Sequence, residues 1–289
     1  MARRNSAKMK KTATNTLVHV ILSILAVIWV LPIVYVIMIS FRGEEGSYPL
    51  TLIPTQWTLS NYTRLFSETD MYNFPRWFAN TFIVSIFTCI ISTFFLVSIA
   101  FTMSRLRFKM RKKFMNIAFV VGMFPGFMSM IAVYYILKGI GIIDGALKLV
   151  ALVIVYSGGS GILNFYVAKG FFDTIPKSID EAAYVDGATK WNSFTKIILP
   201  LSKPIVLYTV LTSFMAPWLD FIFAKVIVGA ESKYYTVAIG LFNMLEKENV
   251  WNWYNRFFAG AVIISIPIAI LFIIMQRFYT DGMSGAVKG

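Results

Sequence analysis

Long apolar stretches alternate with short polar ones along this chain. The apolar stretches cover about residues 17–41, 79–103, 114–137, 147–169, 205–228 and 258–277. An α-helix rises about 1.5 Å per residue, so roughly 20 apolar residues cross the hydrocarbon of a bilayer. Inside lipid every peptide N–H and C=O must find its partner within the segment, which leaves no strand alternative at this length. The pattern predicts an all-α polytopic membrane protein with six transmembrane helices.

The polar intervals give the orientation. Residues 104–113 carry Arg105, Arg107, Lys109, Arg111, Lys112 and Lys113 and no acid, and the N-terminus holds Arg3, Arg4, Lys8, Lys10 and Lys11. Lysine and arginine accumulate on the cytoplasmic side of spans. Both termini are therefore expected inside, together with 104–113 and 170–204. In the latter, Lys177, Lys190, Lys196 and Lys203 stand among four acids. The first stretch is too long for a signal-peptide core of about 7–15 residues, and no small-residue cleavage site follows it. It is expected to stay as a helix. The organisation reads as a basic tail at 1–16, a first helix at 17–41, a five-helix domain at 79–277 containing a polar loop at 173–204, and a cytoplasmic tail at 278–289. No internal repeat or low-complexity segment interrupts it.

The external segments 42–78, 138–146 and 229–257 are mixed in sign. Two of them hold Trp57, Tyr62, Trp77, Trp251, Trp253 and Tyr254. These aromatic residues form either an interfacial belt or a docking surface for an extracytoplasmic partner.

Composition narrows the chemistry. The chain is 57% hydrophobic and 14% charged, against about 25% charged in soluble domains. Its net charge of +13 sits in short segments between apolar stretches, a pattern that suits membrane anchoring and not nucleic acid. Cys89 is the one cysteine and His19 the one histidine, which excludes an internal disulfide and a multi-histidine or multi-cysteine metal site. No G-x4-G-K-[ST] phosphate loop occurs; the run Ser157-Gly158-Gly159-Ser160-Gly161 lacks the lysine and lies in an apolar stretch. No serine-centred triad or paired carboxylate stands within a span. The chain is not expected to hydrolyse ATP or to act as an enzyme.

The most specific signal lies in 178–200. Glu181-Ala182-Ala183 is followed by Gly187, then by Ile197, Leu199 and Pro200. Ser178 and Glu181 have capping-box spacing, in which each side chain bonds the other's backbone N–H. Asp180 and Glu181 place negative charge in the first turn, where the helix dipole favours it. Ala182 and Ala183 are small, strong helix formers, and Gly187 permits the left-handed residue that ends a helix. A second short helix is expected from about Thr189 to Ile198, closed by Pro200 and Pro204. The bland alternative is a solvated loop with one capped helix.

That spacing, EAA-x3-G-x9-I-x-L-P, resembles the coupling loop of permease subunits in binding-protein-dependent ABC importers, with every fixed position filled. Gly170-Phe171-Phe172, Ile175-Pro176, Asp186-Gly187-Ala188 and the external Leu52-Ile53-Pro54, Thr58-Leu59 and Asn61-Tyr62 resemble its carbohydrate branch. The ending Gly285-Ala286-Val287-Lys288-Gly289 is similar to that of the smaller, six-span permease of maltose and maltodextrin importers. Gly282-Met283-Ser284 departs from that branch's usual Gly-Leu-Thr-Ala.

The resemblance implies a type I importer permease fold in a bacterial plasma membrane, with lipid around it and no nucleic acid. It implies three partners: a second permease subunit in a heterodimer, an ABC ATPase dimer that binds ATP and Mg, and an extracytoplasmic sugar-binding protein. This chain would carry no cofactor of its own. Glu181, Ala182, Ala183, Asp186, Gly187, Ile197, Leu199 and Pro200 would couple to the ATPase. Gly285, Ala286, Val287, Lys288 and Gly289 would reach between its subunits. The implied cargo is a maltodextrin-type sugar, with raffinose-type, multiple-sugar and glycerol phosphate importers as alternatives.

Other candidates come from the spans. Asp220, just after Pro217 and Trp218, is an ionisable group about 16 positions into the fifth stretch. It serves either a translocation path or a structural hydrogen bond. Gly158 and Gly159 interrupt the fourth stretch, for close packing and bending or for exposing backbone to substrate. Pro125, between Gly122 and Gly126, is expected to kink the third. An ion-coupled secondary transporter would need several such ionisable groups, and only Asp220 is placed for it. A membrane enzyme or scaffold is the third reading.

Overall fold

The computed structural model describes every residue except Met1, 47–50, Leu52, Ser160, 247–248 and 287–289. Among the described residues the regular structure is helical, apart from one antiparallel bridge between Arg42 and Trp57. The helices are α1 (Ala2–Ser40), α2 (Ser60–Ser67), α3 (Phe74–Arg105), α4 (Arg111–Gly122), α5 (Gly126–Gly139), α6 (Leu147–Gly159) and α7 (Gly161–Thr174). Then follow α8 (Lys177–Val185), α9 (Lys190–Leu201), α10 (Lys203–Leu219), α11 (Ile222–Val228), α12 (Val237–Met244) and α13 (Val250–Ala286).

Three helices are long and apolar enough to cross a membrane by themselves: Thr14–Ser40, Phe74–Arg105 and Val250–Gln276. The third and fifth apolar stretches differ from the expected continuous helices. The third is two helices, α4 and α5, parted at Met123–Pro125. Pro125 has no N–H and disfavours helical backbone in the residue before it, and its own ψ of 129° is extended. This is a break where a kink was expected. The fourth stretch is helical on both sides of Ser160, as α6 and α7, and the fifth divides into α10 and α11 at Asp220–Phe221. The basic tail is also helical, since α1 begins at Ala2, and α13 continues through the expected C-terminal tail to Ala286.

The chain forms two compact units. One comprises Met1–Thr69 with Met244–Ile263, the other Asp70–Asn243 with Ile264–Gly289. In the first unit the apolar window of Thr14–Ser40 has none of its residues buried. Side chains such as Leu22, Ile28 and Trp29 stand open, as lipid-facing residues do. Beyond Ser40 the chain is tied by polar side chains. Asn61 donates to the carbonyls of Ser40 (3.0 Å) and Arg42 (2.7 Å), and Asn255 to that of Glu44 (2.7 Å).

The second unit is built on α3, which packs against α6, α7 and α10. Its buried positions Trp77, Thr81, Val84, Ser85, Thr88, Ser92, Leu96 and Ala100 recur every three or four residues, one face of a helix. Several are small, so neighbouring backbones approach closely, as membrane helices require. Ser213 on α10 meets Ser92 across this seam at 3.0 Å. Cys89 packs here too, 3.6 Å from the carbonyl of Val210.

The N-terminal end of α3 holds the segment after α11. The Trp77 indole N–H donates to the Ser232 carbonyl at 2.9 Å, and Asn80 to those of Lys233 and Tyr235. Trp77 and Trp253 are buried, whereas Trp57 and Trp251 are exposed. The aromatic residues of the polar segments are thus partly core, and neither a belt nor a docking surface accounts for all of them. Gly240 on α12 lies against Trp77: a Cβ there would overlap atoms of the indole. Gly240→Val should therefore lower stability by about 1–3 kcal/mol, the usual cost of overpacking. A thermal unfolding scan of the detergent-solubilised protein measures it, and an unchanged midpoint would contradict this packing.

Candidate functional site

The polar loop folds as a helix–turn–helix, α8 and α9. Pro176 is the N-cap of α8, with ψ of 135°, and no side chain caps that end. The expected capping box between Ser178 and Glu181 is absent. Pro176 starts the helix at Lys177, two positions earlier than that box requires, so Ser178 already lies within the first turn. At the other end Gly187 has φ of +83°. Its N–H bonds the Tyr184 carbonyl (3.1 Å), and the Ala188 N–H bonds that of Ala183 (2.9 Å). This pair of bonds is the Schellman arrangement, which needs a left-handed residue and so favours glycine. Thr189 then caps α9, its hydroxyl accepting from the Asn192 N–H at 3.2 Å.

The second helix runs further than Ile198. It passes Pro200 and ends at Leu201, then turns by 81° into α10. Pro200 thus does not terminate it. Ser193–Ile198 widens into a π-helix just before that proline, whose missing N–H removes one bond of the regular ladder.

One buried ion pair anchors this loop. Asp180, 6% exposed, faces Arg105 at the end of α3, with Nη1 to Oδ2 at 3.3 Å. Ser193 of α9 donates its hydroxyl to the same carboxylate at 3.0 Å, and Arg105 also donates to the Ile175 carbonyl at 2.9 Å. Three elements are therefore joined at Asp180. Nearby, Asp173 accepts from Ser104 and Lys169, both at 2.6 Å. Burial works to raise the Asp173 carboxyl, but the hydrogen bonds from Lys169 and Ser104 and the charges of Lys169 and Arg111 hold it below the ordinary value.

Beneath the ion pair lies an apolar cluster of Val97, Phe101, Phe172, Phe194, Ile198 and Ile205, among others. The rings of Phe101 and Phe194 are 4.6 Å apart. Aromatic pairs at this distance contribute about 0.5–1.5 kcal/mol beyond their burial. The loop is thus packed against α3 and α7, and the bland reading of a solvated loop does not hold for it.

The motif residues divide by face. Ala183 is buried under α8, while Glu181, Ala182, Asp186 and Gly187 are exposed. Ile197 and Leu199 are half-buried and Pro200 is exposed. Beside the exposed motif residues stand large apolar side chains: Tyr184, Val185 at 88% and Trp191 at 63%. Arg105, Ser193 and Phe194 belong to the site yet carry no signal in the sequence. Arg105 is one of several basic residues in its segment, and only its fold neighbours distinguish it.

The other candidates lie apart from the loop. Asp220 accepts from the Tyr156 hydroxyl (2.7 Å) and from the N–H groups of Phe223 (3.2 Å) and Ala224 (3.0 Å). It joins α6 to α10 and caps α11, which is the structural alternative of the two readings. Trp218 is buried against Phe78, Phe82 and Phe214. Gly158 lines an apolar cavity of about 650 Å³ between α3, α4, α6 and α7, whose walls include neither Asp220 nor Trp218. Gly159 is the last residue of α6. Gly285 and Ala286 end α13, and Val287, Lys288 and Gly289 lie outside the described residues. Among the described residues no three His, Cys, Asp or Glu side chains converge as metal ligands.

Comparison with known proteins is consistent with this geometry. Residues 95–284 match the family described as binding-protein-dependent transport system inner membrane component. The galactooligosaccharides transport system permease protein GanQ of Bacillus subtilis (strain 168) is 33% identical over 272 residues, covering 94% of each chain. The maltodextrin transport system permease protein MalD of Streptococcus pneumoniae (strain ATCC BAA-255 / R6) is 32% identical over 288 residues, covering 99% of each. A crystal structure of a bacterial ABC transporter involved in the import of the acidic polysaccharide alginate contains a similar fold. It has a TM-score of 0.75 and 23% identity, covering 92% of this chain and 96% of that one. The match spans both the α8–α9 loop and the helices that hold it, so the chain belongs to the binding-protein-dependent transport system inner membrane components and is a membrane permease subunit rather than an enzyme in itself.

Proposed function

We propose that this chain is one of two permease subunits of a bacterial ATP-driven importer for an oligosaccharide, with maltodextrin- and galactooligosaccharide-type sugars as the leading cargoes. The observation that carries the reading is the α8–α9 loop. It is clamped to α3 from below by Arg105 and Asp180, while Glu181, Ala182 and Asp186 stand exposed beside Tyr184, Val185 and Trp191. Large apolar side chains in a polar segment mark a partner surface. The partner of this surface is an ABC ATPase, which binds ATP and Mg in place of this chain. Glu181 meets a basic residue there, and the small Ala182 lets the two surfaces approach.

In this reading six spans cross the membrane, the pairs α4–α5, α6–α7 and α10–α11 each serving as one. Both termini and the loop face the cytoplasm. Closure of the ATPase dimer pulls the paired loops together. The buried ion pair transmits that displacement to α3 because it cannot be stretched without exposing a charge to an apolar core. A binding protein delivers the sugar outside, and Gly285, Ala286, Val287, Lys288 and Gly289 contact the ATPase. The sugar follows from the relatives, which include permeases named for galactooligosaccharides and for maltodextrin.

The test is uptake by cells in which the chromosomal copy is deleted. Uptake of labelled maltotriose or galactobiose should be lost and should return with the intact chain. Unlabelled raffinose and glycerol phosphate, as competitors, rank the alternative cargoes. Sugar uptake unaffected by deletion, or driven by a proton gradient after ATP depletion, would overturn the proposal. Labelling of a Trp191→Cys variant by a membrane-impermeant thiol reagent should require permeabilised cells. Labelling of intact cells would place the loop on the wrong side.

A further inference from the structure

A second, strongly polar cavity of about 320 Å³ lies in the unit formed by Met1–Thr69 and Met244–Ile263. It is bounded by the residues after α1, by α2 and by the first turns of α13. Ligand pockets run from about 300 to 1,000 Å³, so this one suits a single small ring or a chain end. We infer that it is a subsite for one ring of an uncharged saccharide, an assignment that rests on the sugar-importer reading above and names a place for the cargo on this subunit.

The charges of the lining decide the class of ligand. Glu68 accepts from Arg64 Nε at 2.5 Å and from Arg256 Nη1 at 2.6 Å. Glu45 is the other acid of the lining. Two arginines and two glutamates cancel, so the cavity offers no net attraction to an anion or a cation. The hydrogen bond from Arg64, with the nearby charge of Arg256, holds the Glu68 carboxyl below the ordinary range, which keeps this balance at neutral pH.

The hydrogen-bonding groups point the same way. Asn255 lines the cavity, and its buried Oδ1 has no hydrogen-bond partner among the described residues; it is an acceptor that calls for an O–H donor. Arg64, exposed apart from its bond to Glu68, calls for acceptors. A sugar hydroxyl satisfies both, being donor and acceptor at once, whereas a phosphate or carboxylate offers acceptors alone. Asn252, exposed at the rim, adds an amide that presents both kinds of group. Trp251, 62% exposed, supplies a flat apolar wall for the C–H face of a pyranose ring.

The experiment uses the full chain in lipid nanodiscs, titrated in a calorimeter with maltotriose, galactobiose and, as the acidic control, trigalacturonate. Saturable binding of at least one neutral sugar is expected, with binding of trigalacturonate at least tenfold weaker. Trp251→Ala and Asn252→Ala each change an exposed side chain, and each should weaken the neutral sugar at least tenfold while helical content is unchanged. No binding of either neutral sugar, equal binding of the acidic one, or full affinity in both variants would each overturn the inference. Uptake in cells separates the two readings. If the intact chain and both variants restore uptake equally, the subsite is wrong and the importer reading stands. If deletion of the chain leaves uptake intact, the importer reading itself falls.

Discussion

Glu181→Lys should leave the subunit in the membrane at its normal level and reduce ATP-driven sugar uptake by more than tenfold. Glu181 is exposed on α8, and exposed substitutions of this kind change stability by about 0.5 kcal/mol at most. In the proposed reading the loss belongs to the docked state. Breaking a buried interfacial charge pair costs about 2–5 kcal/mol, and about 1.4 kcal/mol already corresponds to a factor of ten. Gly187→Val reaches the same outcome by another route. At φ of +83° a β-branched residue costs about 1–3 kcal/mol of strain, so the turn reopens and carries Glu181 out of place. Uptake of labelled maltotriose, set against the amount of subunit in isolated membranes, separates lost coupling from lost protein. Wild-type uptake by Glu181→Lys would refute the assigned contact.

The second large effect is expected at the ion pair beneath the loop. Asp180→Ala leaves the Arg105 side chain, 3% exposed, as a buried and unpaired charge. Removing one member of such a pair costs about 3–5 kcal/mol. Ser193 and the Arg105 bond to Ile175 share this node, so α8 and α9 should detach together, with uptake lost and the loop opened to protease. Removing both charges is a different case. Arg105→Met with Asp180→Leu replaces the pair by apolar groups and should restore much of the lost stability, because a buried pair and a packed apolar pair are often close in energy. Uptake by the double variant then decides whether the charges transmit the stroke or only hold the loop. Two single changes whose effects simply add would show that Arg105 and Asp180 do not act as a unit.

How far the sequence could be read depended on whether a feature is local. Gly187 is local: a helix ending at an exposed turn needs a left-handed residue, and the expected reversal is the observed one. The break at Pro125 is local as well, since a missing N–H acts wherever the residue is placed. The expected capping box failed within the same few residues. Ser178 and Glu181 have the right spacing, but Pro176 takes the cap position, and a spacing rule cannot show which of two starts is used. Asp180 was legible as a first-turn acid and not as the buried centre of the loop, because Arg105 and Ser193 approach it from elsewhere in the chain.

The spans show the same division. Periodicity and charge placed α1, α3 and α13 in the membrane, because some 20 consecutive apolar residues have no other stable surroundings. Helices that are apolar on every side give no sign of which side is packed. That Trp77 is core against Gly240 while Trp251 stands open, and that Asp220 closes a gap between α6 and α11, followed only from the assembled helices. The linear order of residues determined a helical membrane subunit with a turn at Gly187, since backbone geometry and transfer from water act on each segment separately. The folded chain alone decided which groups are desolvated together, and desolvation is what makes the Arg105–Asp180 contact hold.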